Sequence, residues 1–102
     1  MSTTRITSAE AKTKNASGTI TAGGTAQELM AANKGRGGFW IQNVSAGDLW
    51  INELGTAAAA QPSMKLATGV LYESAVTGCT ANAISIFGAT TAQAFSAREW
   101  TY

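Results

Sequence analysis

A chain of 102 residues with seven Lys and Arg against six Asp and Glu fits one domain, and it lacks the basic excess that grips phosphate backbones, which argues against nucleic-acid binding. It also lacks the charge density of a disordered protein. No apolar run approaches the roughly 20 residues of a membrane-spanning helix, so no membrane partner is expected, and residues 1–15 hold no signal-peptide core.

The chain divides into an arm and a body. Residues 1–17 carry only Met1 and Ile6 as large apolar side chains, too few to fold alone, so they read as an extended polar arm. Residues 1–36 set five cations against two carboxylates, a net charge of +3, and residues 37–102 balance at −2. Arg5, Lys12 and Lys14 are therefore candidate contacts to an acidic partner, with the arm laid over a neighbouring protein.

The body, residues 18–102, reads as strands. Gly18 to Ala22 is short, β-branched and stopped by Gly23-Gly24. Ala26 to Ala32 has helix-favouring residues but spans barely two turns, which leaves helix and strand open. Lys34-Gly35-Arg36-Gly37-Gly38 reads as a flexible turn; it lacks the Gly-Lys-Ser/Thr ending of a phosphate loop. Phe39 to Val44 and Leu49 to Asn52, joined by Ser45-Ala46-Gly47-Asp48, look like a hairpin with Phe39, Ile41, Leu49 and Ile51 on one face. Trp40 and Trp50 then fall together on the other face. Either both faces are covered within the fold, or that aromatic face packs against a second subunit or another protein.

Thr56 to Ser63 is a small-residue loop, read either as a tolerant surface segment or as a close approach to a partner. Met64 to Leu66 and Val70 to Glu73 flank Ala67-Thr68-Gly69, a second hairpin signal. Ala83 to Phe87 alternates and stops at Gly88, and Gln93 to Trp100 is the last strand, with Phe95 and Ala97 together and Trp100 on the opposite parity. Short strands with Gly-rich turns predict an all-β fold, a β-sandwich or a small barrel. The specific expectation is a small antiparallel, jelly-roll-like β-sandwich with Ile41, Leu49, Ile51, Ile84 and Ile86 in its core.

The chain contains no histidine, which excludes Ser-His, Cys-His and His-metal arrangements. The six carboxylates are scattered, with no spacing that suggests a catalytic pair. The single cysteine, Cys79, forms no internal disulfide and reads as a small buried residue in a chain made in a reducing compartment. No enzyme, cofactor or metal site is expected.

Gly18 to Gln27, Ile41 to Ser45, Leu49 to Asn52, Val70 to Glu73, Ile84 to Gln93, Phe95 and Glu99-Trp100, in that order and spacing, resemble the short β-sandwich virion proteins encoded among the structural genes of tailed bacteriophages. The resemblance covers about Gly18 to Trp100 and leaves the arm outside. It implies a structural role on the particle, commonly capsid decoration (cement). The major capsid protein would be the partner, the chain a homo-oligomer (dimer or trimer), and the location the capsid exterior after synthesis in the host bacterial cytoplasm. A tail, fibre or head-tail connector component and a carbohydrate-binding sandwich module are the other readings. The candidate contact residues are Arg5, Lys12, Lys14, Trp40 and Trp50.

Overall fold

Nine strands alternate between two antiparallel sheets in the computed structural model, which describes residues 11–75 and 77–102. They are β1 (Lys12–Asn15), β2 (Gly18–Thr19), β3 (Gln27–Met30), β4 (Arg36–Asn43), β5 (Leu49–Asn52), β6 (Met64–Leu66), β7 (Leu71–Glu73), β8 (Ile84–Gly88) and β9 (Ala94–Thr101). Sheet A has the order β1-β9-β4-β7, with β2 also paired to β9; sheet B has the order β3-β8-β5-β6. From β2 onward, only the β5–β6 connection stays within one sheet, which is the strand order of a jelly roll.

The segment left open between helix and strand is a strand, β3, paired with β8. Its Leu29 and Met30 side chains are buried, so tertiary packing overrides helix propensity. The core lies between the sheets and includes Ile20, Phe39, Ile41, Leu49, Ile51, Leu66, Ile84, Ile86, Phe95 and Ala97. All five core residues read from the alternation are buried. Cys79 is half-buried and packs against this cluster.

Both expected hairpins are instead crossings between sheets. β4 pairs with β9 and β7, whereas β5 pairs with β6 and β8. β6 belongs to sheet B and β7 to sheet A. In a hairpin the inward residues lie side by side; in a crossing they face one another across the core. Alternation is the same in both, so the pattern alone does not separate them.

The Gly-rich segment 34–38 is also corrected. Arg36, Gly37 and Gly38 are buried in β4, and none of these glycines has a positive φ. The need for glycine is steric. A methyl group at Gly38 would penetrate the Trp100 indole, and one at Gly37 would meet the Tyr102 ring.

Arg36 meets Glu99 inside the fold, Nε to Oε2 at 2.8 Å, with 0% and 8% of the two side chains exposed. The guanidinium also donates to the carbonyls of Thr80 (2.8 Å), Asn82 (2.9 Å) and Ala31 (2.7 Å). One side chain thereby ties β4 and β9 of sheet A to the end of β3 and the approach to β8 in sheet B. Removing one member strands the other charge in a dry site. Glu99→Ala should cost about 3–5 kcal/mol in urea unfolding, whereas an Arg36→Met/Glu99→Leu double variant should recover most of that loss.

The stretch assigned to the arm is partly built into the domain. Lys12 to Asn15 form the edge strand β1, in register with Thr101 to Arg98 of β9, and so lie on the body's own sheet where a course over a neighbouring protein was expected. Ala16 N–H donates to Ala97 O (2.9 Å), and the Ser17 hydroxyl bridges Ala97 N–H and O at 2.9 and 3.2 Å. Arg5 lies outside the described residues. Every β1 side chain is exposed, so this strand is held mainly by its backbone. Deleting residues 2–16 should leave a folded body with a thermal midpoint several degrees lower, at roughly 1 kcal/mol per ladder bond lost.

Candidate functional site

Strand pairing on sheet A brings together three side chains that are distant in sequence. On β9, Phe95, Ala97 and Glu99 point into the core, so Ser96, Arg98 and Trp100 point outward. Trp40 of β4 stands directly opposite Arg98, and Trp100 stands opposite Gly38. Because Gly38 has no side chain, the Trp100 indole lies across the strand there.

The Arg98 guanidinium carbon sits 5.8 Å from the Trp40 ring centroid and 5.7 Å from that of Trp100. A guanidinium at these distances from indoles gains roughly 0.5–1 kcal/mol per contact at an exposed site. It is also held in place. Both indoles remain half-exposed and Arg98 is exposed.

The row extends across the whole sheet. Glu73 of β7 flanks Trp40, Asn15 of β1 flanks Arg98, and Thr13 flanks Trp100. A cleft of about 310 Å³ lies between β1 and the Trp40–Arg98 pair, lined by Thr13, Lys14, Asn15, Trp40, Ser96 and Arg98 among others. Lys12 and Lys14 project from the same edge strand on the opposite parity, and Lys14 lies in register with Glu99, whose carboxylate is already taken by Arg36.

Trp50 is elsewhere. Its strand, β5, places it on the outer face of sheet B between Lys65 and Phe87, again half-buried. Trp40 and Trp50 therefore face away from each other on opposite surfaces of the sandwich, and the expected shared aromatic face does not form. Of the residues singled out from sequence, Trp40, Lys14 and Lys12 gather along one sheet, and Trp50 does not join them. Trp100 and Arg98 were missed as partners. The available signal was the parity of β9, which already set Trp100 opposite to Phe95 and Ala97.

A second cleft, of about 460 Å³, opens at one end of sheet B beside Glu28, Glu53, Leu54, Asn82 and Ser85. It gathers two carboxylates that are far apart in sequence. Asn82 Nδ2 donates to the Glu53 carbonyl at 3.1 Å, and Leu54 is 77% exposed at the rim. The small-residue loop that follows is pinned: Ala57 N–H donates to Ser85 Oγ at 2.9 Å and Ala57 is buried.

The chain matches no family model, no curated protein and no solved structure.

Tyr72, packed 5.8 Å from Phe39 between ring centroids, directs its hydroxyl toward Glu53 Oε2 at 3.5 Å. Burial first, then the Glu53 carboxylate, raises the phenol above its ordinary value of 10.0. Folding thus favours the protonated phenol. The stability it contributes is complete below pH 10 and falls as pH rises through the folded value. Urea midpoints measured from pH 9 upward should fall in the wild type, and Tyr72→Phe should remove part of that slope.

Proposed function

We propose that this protein is a non-enzymatic virion structural protein of a tailed bacteriophage, a capsid decoration protein that docks on the major capsid protein through the outer face of sheet A. The observation that carries the reading is the Trp40–Arg98–Trp100 cation–π cluster on an outward sheet face. Trp and Arg are the residues on which protein interfaces most often depend, and here they sit at the middle of a row rimmed by polar side chains.

Three further features support it. The two-sheet jelly roll is compatible with the β-sandwich that the resemblance in sequence implies. The chain has no histidine, so the commonest nucleophile, base and metal-ligand arrangements have no basis in it. Chains of this length bury a modest share of their surface alone, and association adds to that burial. The outer face of sheet B, with Trp50 and Phe87, is the surface through which copies of the chain would meet as a dimer or trimer.

Substitution on opposite faces tests the assignment. Trp40→Ala and Trp100→Ala should each lower occupancy on assembled particles, with a loss of about 2 kcal/mol or more in affinity if they are central contacts. Trp50→Ala should leave capsid affinity intact and alter the oligomeric state in solution. A copy number per particle of a dozen or fewer would instead assign the chain to the tail or connector.

A further inference from the structure

We propose that the cleft between β1 and Trp40 receives an acidic, extended segment of the capsid protein, with a carboxylate held by Arg98; this rests on the docking role of sheet A argued above. The two arginines of the described residues differ in how they are used. Arg36 is fully engaged, with a carboxylate and three carbonyls around its guanidinium. Arg98 has no carboxylate in ion-pair reach among the described residues, and no described oxygen accepts from its N–H groups. Its neighbours at the guanidinium are the rings of Trp40 and Trp100.

Contact with the two rings takes up none of the guanidinium's N–H groups in a hydrogen bond to oxygen, so they stay available to a bidentate partner. A planar oxyanion such as a carboxylate matches that fork. The two indoles hold the side chain in position, so less rotamer freedom is lost when the carboxylate arrives.

The surroundings fit a peptide acid. Asn15, Thr13 and Ser96 share the outer face with Arg98 and supply amide and hydroxyl groups at peptide spacing along two neighbouring strands. Lys14 lines the cleft from the edge strand, but its side chain and that of Lys12 have the parity of the opposite face, so the positive charge on this face is that of Arg98 itself. Across Trp40, Glu73 bounds the positive region. Sheet B offers no equivalent: its outward Lys65 is already within 3.8 Å of the Asp48 carboxylate. Charge complementarity therefore selects an acidic occupant for this cleft. The near-neutral chain makes a nucleic acid a poor alternative source of the anion.

The test uses the full chain in a Trp50→Phe background, so that indole fluorescence reports only on Trp40 and Trp100. The probe is a short capped peptide of alternating Glu and Ser, with its Gln–Ser counterpart as control. The Glu–Ser peptide should shift the fluorescence saturably, and its affinity should weaken as salt rises from about 50 to 300 mM, where screening shortens from beyond 10 Å to well below it. Arg98→Gln should weaken binding about fivefold or more and Lys14→Gln by a smaller factor, with Arg98→Lys intermediate because it keeps the charge and loses the fork. Unchanged circular dichroism and thermal midpoints would show that the variants are folded.

Equal binding of the Gln–Ser peptide, or undiminished binding by Arg98→Gln, overturns the proposal. So does polygalacturonate binding more tightly than the peptide, which would make the cleft a site for acidic sugars. If the peptide fails while Trp40→Ala still lowers particle occupancy, the docking face stands and the acidic occupant is wrong. If the peptide binds as described while occupancy ignores Trp40→Ala, the chemistry of the cleft stands and the docking role falls.

Discussion

The buried contact between Arg36 and Glu99 governs the geometry of one whole end of this sandwich. An ion pair taken out of water is expensive, and it persists only where hydrogen bonds satisfy the remaining donors and acceptors. Here the three carbonyls that complete the guanidinium's shell come from the end of β3 and from the β7–β8 connection. Those are the places where the chain passes from one sheet to the other. The desolvation cost of Arg36 is thus offset only when both crossings are in place, which makes the pair sensitive to the topology as a whole.

Buried amides repeat the device at other connections. Asn43 donates to Gly47 O and Leu66 O while accepting from Ser45, so it fixes the path from β4 to β5 and the start of the path to β7. Gln93 joins the β8–β9 turn to Ser45 and Asp48, and Asn52 shapes the β5–β6 loop through Thr56, Ser63, Leu54 and Gly55. Among the described residues, every buried side-chain nitrogen and oxygen has a partner. Hydrophobic burial supplies the driving force and has no direction. These polar groups choose which crossing is made, since a wrong one would leave them unsatisfied.

The apolar framework was legible in the sequence because it rests on parity. Alternation placed Ile41, Leu49, Ile51, Ile84 and Ile86 inward, and Gly, Asn, Asp and Ser marked the turns. What parity does not encode is pairing partner. The Ser45–Asp48 turn serves a hairpin or a crossing equally well, and Asn43 and Gln93, whose side chains settle the matter, read as ordinary strand residues. Trp40 and Trp50 were legible as outward residues, but their separation onto opposite surfaces follows from the crossing. Arg36 was misread with its glycines as a flexible turn, since its partner lies 63 residues away. The contact of Arg98 with two indoles depends on the same long-range register and was visible only as the odd parity of Trp100.

Strand β9 links the interior to the outer surface. Its inward residues, Phe95, Ala97 and Glu99, enter the core and the ion pair, while its outward residues, Ser96, Arg98 and Trp100, build the platform. Because side chains alternate, a slip of one residue against β4 would turn Arg98 inward and Glu99 outward. The Arg36–Glu99 contact forbids that slip, since it would place two uncompensated charges where the fold is dry. The bulge between Arg36 and Gly38 lets β4 supply both halves of the arrangement: Arg36 turns into the core, and Gly38 leaves room for the Trp100 ring outside. The buried ion pair therefore sets the register that puts Arg98 opposite Trp40, and the outward recognition surface takes its shape from an interaction it never touches.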